Sequence, residues 1–447
     1  MNAKLTLLCG MAAAITVQLP ACSFSASTET MLTPPRLTAE QEAIYQALQS
    51  AAGSQISLKY PKSGERLSAF TVDDLDGDGA DEAIVFYETG RSGTEENPLR
   101  LCLLDQRGGK WRAVQEYPAA GAEIERVDIE KLGTNPRKNL ILRYSMVDGA
   151  EHAATVYHYA DGALIQSLSL SYSVLELQDL NSDGTRELFM TTAAKAPAPA
   201  SAVVYALDED GTYIQSPQLN LPDSFTDVTR VSYGVLPAED GSSIPAVYLD
   251  GMTGATTAQT TVLNYHDHLL SVVYADAAER MNTARPAGCQ TMDIDGDGEL
   301  EIPGNTIFYG YTNAEEGSPL SLTNWYVCRN GLLIREHSSY YAGQEGYVFV
   351  MPKRWEKRVT AVQENEEIVF YEFDTGKRTQ NGVPVLLNPL LRLAVVNDPV
   401  VADAMQAEGY LLLRQQNGNY YLGAIQATGT RMQIKESELL FAMQVLP

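Results

Sequence analysis

Asp74-Leu75-Asp76-Gly77-Asp78-Gly79-Ala80-Asp81-Glu82 is written three times in this chain with small changes. It returns as Asp179-Leu180-Asn181-Ser182-Asp183-Gly184-Thr185-Arg186-Glu187 and as Asp293-Ile294-Asp295-Gly296-Asp297-Gly298-Glu299-Leu300-Glu301. Oxygen-bearing side chains recur at the first, third, fifth and ninth positions. Crowded so closely, they repel one another unless a cation lies among them. Ca²⁺ takes about six to eight oxygens from carboxylates, a backbone carbonyl and water. Asp74, Asp76, Asp78 and Glu82 are therefore candidate ligands. So are Asp179, Asn181, Asp183 and Glu187, and likewise Asp293, Asp295, Asp297 and Glu301. The seventh position (Ala80, Thr185, Glu299) suits a backbone carbonyl ligand. Asn181 removes one charge, so the second loop should bind most weakly. The glycine after the third ligand permits the bend, since it tolerates positive φ. Metal-free turns are the alternative, because Asp and Gly favour turns.

An EF-hand begins the same way but closes with a bidentate Glu at its twelfth position and continues as a helix. Here that position is Val85, Met190 or Gly304. The run Glu82-Ala83-Ile84-Val85-Phe86-Tyr87 is β-branched and aromatic, which predicts a strand. The expectation is a calcium loop between strands.

The remaining text supports a β protein. The chain has 447 residues, room for two or three domains, with a net charge of −25. That acidity argues against nucleic-acid partners and against electrostatic adhesion to anionic lipid. Lys4 followed by the short apolar stretch Leu5–Leu19 predicts a signal segment rather than a membrane span. It ends in Leu19-Pro20-Ala21-Cys22, which resembles the lipobox of bacterial lipoproteins. The resemblance implies cleavage after residue 21, lipid on Cys22, and a membrane-anchored, extracytoplasmic mature chain. Simple secretory cleavage is the alternative. Residues 22–37 read as a tether rich in Ser, Thr and Pro. A capping box at Thr38–Gln41 predicts a helix within 38–54. Cys102, Cys289 and Cys328 could form at most one disulfide; Cys289–Cys328 is the favoured pair, and three buried thiols are the alternative.

From residue 55 to 344 a unit repeats: a strand, an acidic or degenerate loop, a second strand, then a hairpin. Turns at Gly108-Gly109, Asp161-Gly162, Asp210-Gly211, His266-Asp267-His268 and Asn330-Gly331 mark five such units. Loops starting at 74, 179 and 293 are spaced by about two units of fifty-odd residues, a period typical of β-propellers. Units two and four would have lost their ligands. The loops resemble the FG-GAP/VCBS repeats of bacterial surface proteins and, more distantly, those of the integrin α-subunit propeller. The resemblance spans about residues 56–340. It implies a propeller of about five blades, seven being possible, in which the cation is structural. Gln55–Tyr60 is expected to give the last blade an outer strand.

Residues 345–447 are expected to form a small α+β domain with strands at Val359–Val362, Ile368–Phe373, Leu390–Val396, Gly409–Leu413 and Tyr420–Ile425. Helices are predicted from Asp398-Pro399 to Ala407 and over Lys435–Leu446. Its opening, Phe349 to Pro352 to Trp355, resembles the start of certain small lipoprotein domains. The basic cluster Lys353, Arg354, Lys357 and Arg358 is read as a protected strand edge.

No H-E-x-x-H, G-x-S-x-G or phosphate-binding motif occurs. His266 and His268 flank a turn without an evident third ligand. Tyrosines such as Tyr157, Tyr159, Tyr340 and Tyr341 suit either ligand binding or blade packing. The expected function is non-enzymatic binding of an extracellular or envelope glycan or protein. The alternatives are a carbohydrate-active enzyme with a carboxylate pair in the propeller pit, and an accessory subunit of an envelope complex.

Overall fold

The structure is a computed structural model. It describes residues 37–53, 55–89, 98–146, 152–238, 241–274, 277–312, 319–379, 381–426 and 429–446. The signal segment, Cys22 and nearly all of the tether lie outside the described residues. No described helix is long and apolar enough to cross a membrane.

The protein is mainly β, built of antiparallel sheets that follow one another along the chain, none closed on itself. The first sheet contains Phe70–Asp73, Glu82–Thr89, Leu99–Arg107 and Lys110–Pro118. The second is the meander Glu123–Lys131, Lys138–Ser145, His152–Ala160 and Ala163–Tyr172. The third runs from Val174–Gln178 through Glu187–Thr192 and Ser201–Leu207 to Tyr213–Gln215. The fourth orders Asp227–Pro237, Ser243–Met252, Thr257–His266 and Leu269–Val272. The fifth begins at Ile302–Ile307 and proceeds through Ser321–Arg329 and Leu332–Ala342 to Tyr347–Val350. The sixth holds Val359–Glu364, Glu367–Arg378, Pro384–Val396, Asn419–Ile425 and Leu411–Gln416. All five expected hairpin turns join neighbouring strands.

Strand alternation explains how the sheets stack. Successive side chains point to opposite faces, so one strand serves two cores. In the first sheet, Ile84 and Phe86 pack with Leu140, Leu142 and Tyr144 of the second. Ala83, Val85 and Tyr87 point the other way, against Ile44 and Leu48 of the helix Ala39–Ala52. Ile141 joins the second sheet to Leu188 and Met190 of the third. Phe189 joins the third to Val247 and Leu249 of the fourth. Tyr248 joins the fourth to Ile302 and Cys328 of the fifth. Phe349 joins the fifth to Phe370 and Leu391 of the sixth. The outer face of the sixth sheet, including Ala394 and Leu422, is covered by Ala402 of the helix Pro399–Ala407. Among the described residues, helices thus cover both ends of the stack, and no core cluster joins the first sheet to the last.

Several expectations change here. Ile56–Leu58 pairs with Glu82–Thr89 in the first sheet, not with a strand of the last expected blade. It extends the edge that Phe70–Asp73 occupies further along the same strand. The division placed at residue 345 falls inside a sheet: Tyr347–Val350 pairs with Leu332–Ala342. The chain's end returns to that sheet, where Met443–Val445 pairs with Tyr347–Val350. The helix predicted over Lys435–Leu446 is therefore Glu436–Ala442 followed by a strand. The expected disulfide is absent: all three described cysteines are free and buried. Cys289 packs with Trp325 and Val348, whereas Cys328 faces the core shared with the fourth sheet.

One member of the basic cluster has a structural task, while Lys353, Lys357 and Arg358 are exposed. Arg354 forms a two-pronged bond to Glu438 and donates to Gln433 O at 2.6 Å. Beside it, the fully buried Trp355 donates its Nε1–H to Met432 O at 2.7 Å. Together they clamp the C-terminal helix.

Candidate metal centres

The three acidic loops are one local structure built three times. In each, the residue before the first aspartate pairs across the ladder with the terminal glutamate. Asp73 faces Glu82, Gln178 faces Glu187, and Met292 faces Glu301. The third loop reduces its leading strand to that single bridge. Sheet pairing thus fixes the loop ends, and backbone-to-carboxylate bonds coil what lies between.

In the first loop Asp74 accepts from the N–H groups of Gly77 at 2.7 Å and Gly79 at 3.1 Å. Asp76 accepts from Asp78 N at 3.1 Å, and Asp78 from Ala80 N at 2.7 Å. The third loop repeats this: Asp293 holds Gly296 and Gly298 N–H groups, Asp295 holds Asp297, and Asp297 holds Glu299. The aspartates of these two loops converge, with carboxylate oxygens of Asp74, Asp76 and Asp78 within 4.8 Å of one another, as are those of Asp293, Asp295 and Asp297. In the second loop Asn181 donates its amide to Asp183 Oδ2 at 2.8 Å, satisfying one candidate ligand oxygen internally. Thr185 turns its hydroxyl to Asp183 at 2.6 Å.

The glutamates lie beneath the loops. Glu82, Glu187 and Glu301 are buried, each accepting one backbone N–H, from Leu75, Leu180 and Ile294 respectively. Burial, opposed by that hydrogen bond and reinforced by the neighbouring aspartates, pushes Glu82 and Glu187 up to about 7. The same causes push Glu301 up to about 8. Its second oxygen, Oε1, is buried without a hydrogen-bond partner. Hard oxygen donors, converging carboxylates and an unsatisfied buried oxygen fit a hard divalent cation.

Sequence reading did not find two neighbours of the third loop. His337 Nε2 lies 3.0 Å from Asp295 Oδ2, and Arg329 pairs with Glu299 at 3.0 Å. Both come from the hairpin Ser321–Arg329 and Leu332–Ala342, whose register brings them there, so no local motif signals them. The Arg329 pair occupies the Glu299 carboxylate and leaves its backbone carbonyl for the seventh-position role. The other candidates are packing or surface features. His266 and His268 are exposed on their turn, His266 beside Asp267 at 3.3 Å. Tyr157 and Tyr159 are buried between the first two sheets, and Tyr340 packs in the core of the fifth and sixth.

No family model and no curated relative matches the sequence. Among solved structures, a Bacillus licheniformis rhamnogalacturonan lyase aligns over 86% of this chain and 94% of its own, at 11% identity and a TM-score of 0.28. The exotype rhamnogalacturonan lyase YesX aligns over 73% and 75%, at 11% identity and a TM-score of 0.28. The rhamnogalacturonan lyase YesW aligns over 84% and 92%, at 10% identity and a TM-score of 0.27. At such TM-scores the backbone paths have too little in common for those activities to bear on this chain.

Proposed function

We propose that the chain is a calcium-binding recognition protein, held outside the cytoplasm of a bacterium by lipid on Cys22. It binds an envelope or extracellular glycan or protein without transforming it. The observation that carries this reading is the third loop, where converging aspartates sit above a buried glutamate oxygen that has no protein partner. Asp74, Asp76, Asp78 and Glu82 make the first site. Asp179, Asn181, Asp183 and Glu187 make the second and weakest, and Asp293, Asp295, Asp297 and Glu301 the third. The carbonyls of Ala80, Thr185 and Glu299 complete them. In this reading the sheets are blades of an open, propeller-like ring. Its support is a cavity of about 460 Å³ lined by the leading strands of the second, third and fourth sheets, with Arg126, Glu176 and Arg230 among its walls beside Arg143, His152 and Tyr172 from the later strands of the second sheet.

Calcium stiffens the turns between leading and second strands, and through them the inner edges that a ligand would meet. Extracellular modules bind calcium at about 10⁻⁴–10⁻³ M, which millimolar calcium outside cells would fill. The direct test is thermal melting in EDTA, in millimolar Ca²⁺ and in Mg²⁺, with elemental analysis of the dialysed protein. A rise of several degrees with calcium, and bound calcium in the dialysate-corrected protein, is expected. No rise and no metal would reject the sites.

A second reading has one observation in its favour. Glu125 and Glu176 both line the 460 Å³ cavity, a space large enough for a sugar, with the Glu125 carboxylate 3.0 Å from His152 Nδ1. Release of reducing ends from a polysaccharide panel would favour this enzyme reading over recognition.

A further inference from the structure

We infer that the cleft where the fifth and sixth sheets meet the third acidic loop binds a neutral, polyhydroxylated ligand, a segment of an uncharged oligosaccharide. The inference rests on the recognition reading above and names its site and ligand class. The cleft encloses about 560 Å³, within the range of about 300–1,000 Å³ typical of small-ligand sites. Asp293 forms part of its wall, and the other walls come from Arg230 of the fourth sheet, the segment leading into the third loop, the hairpins of the fifth and sixth sheets and the C-terminal strand.

Its chemistry is that of neutral amides and tyrosines: Gln290, Gln344, Asn419, Gln444, Tyr341 and Tyr421 line it. A carboxamide donates and accepts at once, as a sugar hydroxyl does, so each can meet either end of a hydroxyl pair. Two of these groups are already oriented. Tyr341 donates its hydroxyl to Gly288 O at 2.8 Å, and Tyr421 to Glu345 O at 3.0 Å. Held in this way, the rings lose little freedom on binding.

Charge on the lining selects against acidic ligands. Arg230 is the one guanidinium there, and it already donates to Gln290 Oε1. Glu345 lies on the same lining, and the Asp293 carboxylate is taken up by the Gly296 and Gly298 N–H groups of the loop, so an anion would meet one carboxylate and one engaged cation. Apolar side chains are few, chiefly Met292, Val445 and Leu446, which leaves little to grip a hydrophobic peptide.

The cleft is also fastened to the third loop. Gln444 donates its side-chain amide to Ile294 O, and Ile294 N–H donates to Glu301 Oε2 at 2.8 Å. Ordering of Glu301 by a cation therefore steadies one wall of the cleft.

The test is calorimetric titration of the calcium-loaded full chain with maltohexaose, cellohexaose, xylohexaose, mannohexaose and chitotetraose, beside tetragalacturonate as the acidic probe. At least one neutral oligosaccharide is expected to bind with Kd below about 1 mM. Gln344→Ala and Asn419→Ala should each weaken it about tenfold, the loss of one to two hydrogen bonds, without moving Tm. No binding of any neutral probe, exclusive binding of tetragalacturonate, or binding indifferent to both variants overturns the inference. Melting of the same samples with and without calcium is read separately. A calcium-dependent rise with no sugar binding sinks the cleft alone; sugar binding with no such rise sinks the calcium sites alone.

Discussion

The backbone N–H of Ile294 donates to Glu301 Oε2 at 2.8 Å, while Oε1 of the same carboxylate is buried with no hydrogen-bond partner. A buried carboxylate held by one bond alone is unfavourable as an anion. It needs either a proton or a cation. Leu75 and Glu82, and Leu180 and Glu187, repeat the N–H to carboxylate bond at 2.8 and 2.9 Å.

Glu301→Gln should separate the two ways of satisfying that oxygen. Glutamine keeps an acceptor for Ile294 and removes the buried charge. In EDTA its Tm should equal or exceed that of the unaltered protein. In calcium it should gain less, because one site has lost its terminal ligand. A site held at ten times its Kd adds about 1.4 kcal/mol, so the variant should fall short by about that amount in calcium-loaded denaturation. An unchanged calcium increment would mean that Glu301 is not a ligand.

The glutamates also predict an unusual pH dependence in EDTA. Burial raises Glu82 and Glu187 from 4.5 to about 7 and Glu301 to about 8. The folded state therefore binds these protons more tightly than the unfolded state does. Stability from this source is fully present below about pH 4.5 and is lost as pH rises through about 7 to 8. Metal-free protein should accordingly melt higher near about pH 5 than near about pH 8.5. The triple variant Glu82→Gln, Glu187→Gln, Glu301→Gln should lose that slope. Calcium should abolish it too, since metal binding displaces the protons, and its apparent affinity should rise with pH over the same window.

Ser182 occupies the fourth loop position at φ 60°, where Gly77 and Gly296 stand at φ 82° and 81°. A side chain in the left-handed region costs roughly 1–2 kcal/mol. Ser182→Gly removes that cost but adds freedom to the unfolded chain. The net expectation is a gain of about 0.5–1 kcal/mol in urea denaturation. The reverse substitution Gly77→Ser should lose a similar amount. A loss in Ser182→Gly would show that the serine contributes a contact stronger than its strain.

Much of this architecture was legible because local chemistry and tertiary structure agree. Asp161-Gly162 and Asn330-Gly331 mark turns whose residues have positive φ, and the flanking strands pair as the alternation requires. The convergence of the loop aspartates was legible for the same reason: their order is set within nine residues of chain. What escaped depends on residues far apart. Nothing near Ile56–Leu58 says that it will join residues 87–89 of the first sheet. Met443–Val445 continues the last helix in periodicity, yet a free edge at Tyr347–Val350 claims it as a strand. His337 beside Asp295 is a consequence of hairpin register, and Cys289 and Cys328, although in one expected unit, pack into different cores.

The approach to the third loop rests on a buried ion pair, and that yields the last expectation. Arg285 Nη2 lies 2.7 Å from Asp250 Oδ1, both side chains being almost wholly inaccessible. Thr260 and Thr291 donate hydroxyls to the same carboxylate at 2.7 and 2.8 Å, and Thr291 N–H binds its other oxygen at 3.0 Å. Arg285 also donates from Nη1 to Thr283 O at 3.0 Å and from Nε to Cys289 O at 2.6 Å. The pair therefore ties residues 283–291, which lead into the third loop, to a central strand of the fourth sheet. Arg285→Met strands a buried carboxylate and should cost about 3–5 kcal/mol in urea denaturation. Adding Asp250→Leu removes that stranded charge but leaves the threonine hydroxyls without their acceptor, so the double variant should recover part of the loss and not all of it. Full recovery would mean that the threonines find other partners. A cost below about 1 kcal/mol for Arg285→Met alone would place this pair among the weakly contributing ones, and the anchoring of the third loop would then have to lie in Ile294 and Gln444.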